Sequence, residues 1–483
     1  MNTPTVSSAS LDDSAAASRE LFDLAVEAVQ FALPLYEMAR MLSATCPRVE
    51  GPDAPDANHA NHANHANHAN HANHANHANH TNARWANAWL HTRQLLGPQH
   101  RRVVTPNNDT LYSSAWLDLR GGPLVIRVPA MHARYYVLGM LDMFTNPFGY
   151  IGSRTTGGDA GAFFVHGPSW RGEVPAGMRA LACPTDTVWV IGRILVDGAD
   201  DLAAAVQLQD QLSIERAPGG TAPVPTRIDA WLQPQDRLGD AARFVQVVNH
   251  ALAENPPPAS AQANVARWRA CGIGVECADR ADRQDGADGA TLDAAQADAL
   301  THAIAQLTRE LASAPPLSLG GGWALPVDVR ETFGDDYRER AQVALSYIGA
   351  LGIEEAMYIT ADCDAEGTPL DGRESYVLRF APGAALQVDA FWSLTAYERA
   401  TCMLAENAIG RYSLGDRTRG LHHDDDGGLR IAISAREPAD PVLRANWLPA
   451  PAERFYLALR LYVPRAVHLE GRYAYPPVER QRG

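Results

Sequence analysis

Apolar positions fall at helical spacing near the start of the chain, then at strand spacing, then at each again. Leu21, Phe22, Ala25, Val26, Val29 and Leu33 share one face of a helix over 18–42, which Pro34 should kink or break. Leu35, Met38, Met41 and Leu42 continue the apolar face beyond it. Trp85, Trp89 and Leu90 predict a second helix over 84–99. From Leu111 to Arg193 the apolar runs become short and are broken by Gly157-Gly158, Gly167-Pro168 and Arg171-Gly172, so strands are expected at 124–128, 134–142, 162–165 and 187–193. Helical spacing returns over 200–212, 244–254, 261–271, 291–314 and 337–351. Strands follow at 356–360, 376–380, 429–433 and 455–463, the last alternating sides as a sandwich strand should. The pattern predicts an α+β fold: two mainly antiparallel β-sandwich-like domains bridged by a helical region, with an N-terminal helix. The expected boundaries are a tail at 1–17, helix and linker at 18–57, a repeat insertion at 58–83, an N-terminal β domain at 84–215, a helical middle at 216–345 and a C-terminal β domain at 346–483.

The insertion is an Asn-His-Ala repeat running from Asn58 to Ala78 and ending imperfectly at Asn79-His80-Thr81. Such a tract buries little apolar surface and cannot offset its own ordering entropy, so it reads as a neutral insertion; capture of Ni, Zn or Cu by its histidines is the alternative. A net charge of −15 repels phosphate backbones and anionic lipid, which argues against nucleic acid and membrane surfaces as partners. The chain holds no run of 18 apolar residues, and residues 1–20 lack a basic start and an apolar core, so neither a membrane span nor a secretory signal is expected. Its six cysteines form no C-x-x-C pair and fit reduced thiols in the cytoplasm. All 41 basic residues are arginine, which excludes a Schiff-base lysine, a pyridoxal phosphate anchor and a phosphate-binding loop lysine.

Few familiar catalytic signatures are present. Asp362-Cys363-Asp364-Ala365-Glu366-Gly367 opens like a calcium loop but has Arg373 where a bidentate carboxylate is needed, and reads as a hairpin turn. His422-His423-Asp424-Asp425-Asp426 reads as a solvated turn. No metal site or cofactor is predicted. The densest polar segment is Pro106-Asn107-Asn108-Asp109-Thr110-Leu111-Tyr112, a loop running into an apolar strand. It serves either as a scaffold turn, since Asn and Asp bond their own backbone, or as a pocket wall. Arg134, Tyr135, Asp142, Asn146 and Arg154 follow on neighbouring strands and turns. Arginine beside tyrosine suits a carboxylate, phosphate or sugar hydroxyl; an internal Arg134–Asp142 pair is the other reading. His91, placed on the predicted helix before the loop, is the first candidate general base, with Asp109 as the second.

A second polar set lies at Phe391-Trp392-Ser393, Tyr397, Asn407 and Arg411-Tyr412-Ser413-Leu414-Gly415-Asp416-Arg417. With Arg134-Tyr135-Tyr136, Arg154-Thr155-Thr156-Gly157, Phe333-Gly334-Asp335-Asp336-Tyr337 and Asn446-Trp447-Leu448-Pro449-Ala450-Pro451, these segments resemble the bacterial, fungal and algal-virus family that joins domain of unknown function 1254 to domain of unknown function 1214. The resemblance spans nearly the whole chain apart from residues 1–15 and the repeat, and implies a mostly β fold with a helical bridge but no settled chemistry. The expected site lies between the two β domains. There Asn107, Asn108, Tyr112, Arg134, Tyr135, Asp142, Asn146 and Arg154 meet Tyr397, Asn407, Arg411, Tyr412 and Asp416 around a small-molecule ligand. An enzyme acting on a small polar or anionic metabolite is the leading reading. A carbohydrate- or metabolite-binding protein and a scaffold joined by its motif residues are the alternatives.

Overall fold

The computed structural model describes residues 8–49, 82–101, 104–218, 220–221, 223–233, 236–275, 292–329 and 332–481. The Asn-His-Ala tract, Cys277 and the Asp/Gly-rich break at 279–289 lie outside them.

Two β sandwiches and a helical layer make up the fold, which is α+β with mainly antiparallel sheets. In the first sandwich, a five-stranded sheet runs in the order Leu90–His91, Thr110–Asp118, Thr187–Leu195, Tyr136–Leu141, Pro147–Gly152. It faces a four-stranded sheet ordered Ser213–Arg216, Leu124–Val128, Gly161–His166, Arg179–Ala182, whose last pair is parallel. Alternation along each strand builds the core between them: Val188, Val190 and Ile194 meet Leu138, Met140, Ile126 and Phe163. In the second sandwich, a six-stranded sheet ordered Leu317–Gly320, Trp323–Leu325, Ala356–Ala361, Phe455–Pro464, Val388–Glu398, Ser413–Gly415 faces one ordered Trp447–Pro449, Leu429–Ser434, Ser375–Phe380, Glu479–Arg480. Leu394, Leu459 and Ile359 pack there against Leu378, Ile431 and Ile433.

The N-terminal helix spans Ser8–Thr45, starting ahead of the expected residue 18 because Ala15, Ala16 and Ala17 are strong helix formers. Pro34 does not end it. Phe31, Leu35 and Met38 are buried in a common core with Phe244, Leu300 and Leu307 from helices Ala241–Glu254 and Ala294–Ala312, and that packing outweighs the lost backbone bond. Asp293 and Gln296 close a capping box at the start of the last of these. Among the described residues no helix is long and apolar enough to cross a membrane.

Residues 84–99 are not helical. Ala83–Ala86 is a strand paired antiparallel with Thr226–Asp229, and Leu90–His91 pairs with the strand Thr110–Asp118. Trp85 and Trp89 are four apart, which imitates a helical face, while the strand partner lies over a hundred residues away and outside any local window.

The outer face of the five-stranded sheet positions the site. It carries Trp189, Ile191, Arg193 and Leu195 along one strand, with Trp116 and Tyr112 on one side and Leu141, Val137 and Tyr135 on the other. The helical layer covers one end, over Trp116, Trp189 and Leu141. The outer face of the six-stranded sheet covers the other end, where Tyr135, Val137 and Leu195 pack on Phe391, Ala356 and Tyr462.

Candidate functional site

The loop before Thr110 is docked into the second sandwich by its own backbone. The Tyr397 hydroxyl donates to the Pro106 carbonyl at 2.7 Å, and Arg460 donates to the Thr105 carbonyl at 3.0 Å. The Asn107 side chain accepts from the Asp109 backbone at 2.7 Å, an Asx turn that fixes the loop, and donates to the Tyr462 hydroxyl. This aims the Asp109 carboxylate across the junction. One oxygen accepts from Ser393 Oγ at 2.6 Å; the other accepts from Ser413 Oγ at 3.4 Å and Arg417 at 3.2 Å. Arg417 also donates to the Val196 carbonyl, lies 3.5 Å from Asp197, and stacks 4.3 Å over the Phe391 ring.

Arg417 divides two adjoining clefts between the sandwiches, and Asp197 lines both. The larger, of about 770 Å³, has walls that include Arg134, Tyr135 and Arg154 from the first sandwich and Asp389, Ala390 and Val463 from the second. Arg134 is gripped by the Asp201 carboxylate and donates to the Leu195 carbonyl at 2.6 Å. That pairing holds the Asp201 carboxyl below its usual range. Arg154 donates at 2.7 Å to Glu355, a wholly buried carboxylate whose other oxygen accepts from the Tyr135 hydroxyl at 2.8 Å. Burial and, after it, this carboxylate push the Tyr135 hydroxyl far up, so it stays a neutral donor. The smaller cleft, of about 380 Å³, is lined by Asn108, Asp109, Asp200, Ser413, Thr418 and Arg419 among others. Asn108 Oδ1, Arg417 Nε and Arg154 Nη2 are buried atoms with no hydrogen-bond partner.

Several expected site residues lie elsewhere. His91 is on the edge strand, not a helix, and lines neither cleft. Its Nδ1 is 2.8 Å from Ser113 Oγ, and burial, with Arg93 nearby, lowers its pKa to about 4. Tyr112 also stands outside both clefts, with the Arg193 guanidinium 5.5 Å over its ring. The suggested Arg134–Asp142 pair does not form, since Arg134 is held by Asp201. Asp142 instead closes a turn, accepting from the backbones of Phe144 and Asn146 at 2.8 and 2.9 Å and from the Asn146 side chain at 2.9 Å. Asn407 closes the turn to Arg411 through bonds of 3.0 Å in both directions. Arg411 donates to the Ala445 and Trp447 carbonyls, so it clamps a loop and not an anion. Tyr412 donates to Glu406, and Asp416 accepts from the Trp392 backbone on an exposed turn. Asp364 accepts from the Glu366 and Thr368 backbones, as a hairpin turn requires, and Asp424 pairs with Arg430 at 2.6 Å. No group of three or more His, Cys, Asp or Glu is arranged to hold a metal among the described residues.

The residues missed as site candidates are Arg193, Glu355, Ser393, Ser413, Arg417 and Arg460. Arg193 and Arg460 had a signal: each is a charge inside an apolar strand, Thr187–Leu195 and Phe455–Pro464.

Two family models match the chain: Protein of unknown function (DUF1254) over residues 86–216 and Protein of unknown function (DUF1214) over 355–466. The chain belongs to the family that joins these two domains. In this DUF1254–DUF1214 protein the first match supplies Arg134 and Arg154 and the second Asp389 and Arg417, so the clefts lie between the matched segments. A crystal structure of the VPA0106 protein from Vibrio parahaemolyticus is similar in fold, with a TM-score of 0.69 at 24 % identity over 96 % of this chain and 100 % of that one. A crystal structure of an uncharacterized protein from Burkholderia cenocepacia aligns over 80 % of this chain and 79 % of that one, at 14 % identity and a TM-score of 0.37. No curated protein matches the chain.

Proposed function

We propose that this DUF1254–DUF1214 protein binds a small polar metabolite, a polyhydroxylated acid, in the clefts on either side of Arg417. The observation that carries the reading is the pair of buried, unpartnered atoms at the cleft walls: Asn108 Oδ1, which needs a donor, and Arg417 Nε, which needs an acceptor. A hydroxyl of the ligand supplies the first and a carboxylate or second hydroxyl the second. Asp197 and Asp200 add acceptors for further hydroxyls, and Arg419 adds a donor. Asp109 holds the Arg417 guanidinium in place from behind, and Ser393 and Ser413 hold Asp109. Ligand sites favour such junctions.

Binding fits the geometry better than turnover. The two candidate bases are committed: Asp109 spends both oxygens on Ser393, Ser413 and Arg417, and His91 lies outside the clefts. Titration calorimetry with gluconate and glucose tests the reading. Saturable gluconate binding that falls at least tenfold in Arg417→Met supports it. Absence of heat with both probes, or binding indifferent to Arg417→Met, refutes it.

A further inference from the structure

Two arginines of the junction are left over once its carboxylates are paired. Glu355 is matched by Arg154 and Asp109 by Arg417. Arg193 and Arg460 remain, 5 % and 2 % exposed, with no ion pair among the described residues. Arg193 makes one long hydrogen bond, 3.4 Å to the Gly349 carbonyl, and its Nε and Nη1 have no partner. Arg460 bonds only neutral groups, Thr395 at 3.2 Å, the Thr105 carbonyl at 3.0 Å and the Tyr397 hydroxyl at 2.7 Å, and its Nε is unpartnered. Guanidinium groups stay protonated in proteins, so both charges persist.

The two charges belong to facing sheets and share surroundings. Arg193 stands opposite Tyr112 in the first sandwich, and Arg460 opposite Tyr358 and Ser393 in the second. The Tyr112 ring lies 5.5 Å from the Arg193 guanidinium, and the Tyr358 and Tyr397 rings lie 5.9 and 5.5 Å from that of Arg460. Tyr358 and Tyr462 bear electrostatically on both arginines, and Asp109 bears on Arg460 without forming an ion pair with it. Aromatic faces soften a cation but are not a countercharge, and the Asp109 carboxylate near Arg460 is already paired with Arg417; a buried charge without a partner of its own is strongly unfavourable.

We propose that a small oxyanion, a carboxylate or an inorganic phosphate, lies in the junction between Arg193 and Arg460. It accepts from Nε and Nη1 of Arg193 and from Nε of Arg460, and so links the two sheets through their interior. This site is separate from the cleft beside Arg417, whose ligand meets different atoms.

The test uses the full chain, dialysed into a chloride buffer. Part is denatured and the released anions are measured by ion chromatography and mass spectrometry. The rest is melted with added inorganic phosphate or acetate at constant ionic strength. The expected result is either about one equivalent of released oxyanion per chain or a saturable rise in melting temperature with one of the two probes, which also tells phosphate from carboxylate. Arg193→Met and Arg460→Met should each lose that signal, while Arg417→Met should keep it and lose only gluconate binding. Wild-type protein with neither a retained anion nor an anion-specific shift overturns the proposal, and so does a full signal in Arg193→Met or Arg460→Met. If neither methionine variant folds, Arg193→Lys, which keeps the charge but loses the fork, should weaken the signal at least tenfold; an unchanged signal there is equally fatal.

Discussion

One face of one sheet has two different covers. At the helical end Trp116 stacks on Trp189 with ring centroids 5.3 Å apart, and Phe144 and Phe31 close the layer above them. At the other end the same strands present Tyr112, Arg193 and Tyr135 to a sheet that answers with Tyr358, Arg460, Ser393 and Tyr462. The first contact is largely apolar but holds one buried charge: Arg340, 2 % exposed, lies 5.2 and 5.6 Å from the Phe31 and Phe144 rings, with its Nε and Nη2 unpartnered. The second holds more buried charge: Arg193 and Arg460, together with the Arg154–Glu355 and Arg417–Asp109 pairs. The difference between the ends is that the junction is flanked by the two open clefts.

The largest expected effect is at the helical end. Trp116→Ala should cost about 3–5 kcal/mol in urea denaturation, as for other buried aromatic truncations; a cost below about 1 kcal/mol would mean the layer is loosely packed. At the junction, Arg154→Met strips the wholly buried Glu355 of its cation and should cost about 1.5–3 kcal/mol. Adding Glu355→Gln should restore part of that loss; a purely additive double variant would show that the two groups do not interact. Asp109→Asn should cost less, about 1–2 kcal/mol, because Ser393 keeps an acceptor. Its gluconate affinity should nevertheless fall at least tenfold, and unchanged affinity would uncouple Asp109 from the cleft. The smallest effect concerns His91, which touches neither cover. Its pKa of about 4 in the folded chain lies below the ordinary value of 6.5, so the unfolded chain takes the proton first. Stability is therefore full above about pH 6.5 and declines toward pH 4, by about 1 kcal/mol at pH 5.5. His91→Gln should flatten that decline, and an unaltered acid limb would show that other groups cause it.

Period and turn chemistry made eight strands legible from local residues, including Leu124–Val128 and Phe455–Pro464, but not the long central strand Val388–Glu398. They failed where the deciding partner was remote. Trp85 and Trp89 suggested a helix because nothing near them reveals the strand Thr226–Asp229. Pro34 suggested a break because the helices that hold Ser8–Thr45 straddle the middle of the chain. The loop from Asn107 to Tyr112 was visible as a polar cluster, but its partners, Ser393, Ser413 and Arg417, come from the other sandwich. Proximity in sequence offers Asp142 as one partner for Arg134, whereas the fold brings Asp201 to it. Polar residues announce that they need partners; which partners is a property of the topology.

The contrast between the two ends is tested most directly by one thermal-shift titration with gluconate on three proteins: wild type, Arg417→Met at the junction and Trp189→Phe at the helical end. Wild type and Trp189→Phe should show the same saturable rise in melting temperature, and Arg417→Met should show almost none. Equal rises in all three proteins, or a rise lost in Trp189→Phe and kept in Arg417→Met, would contradict the assignment of the ligand site to the junction.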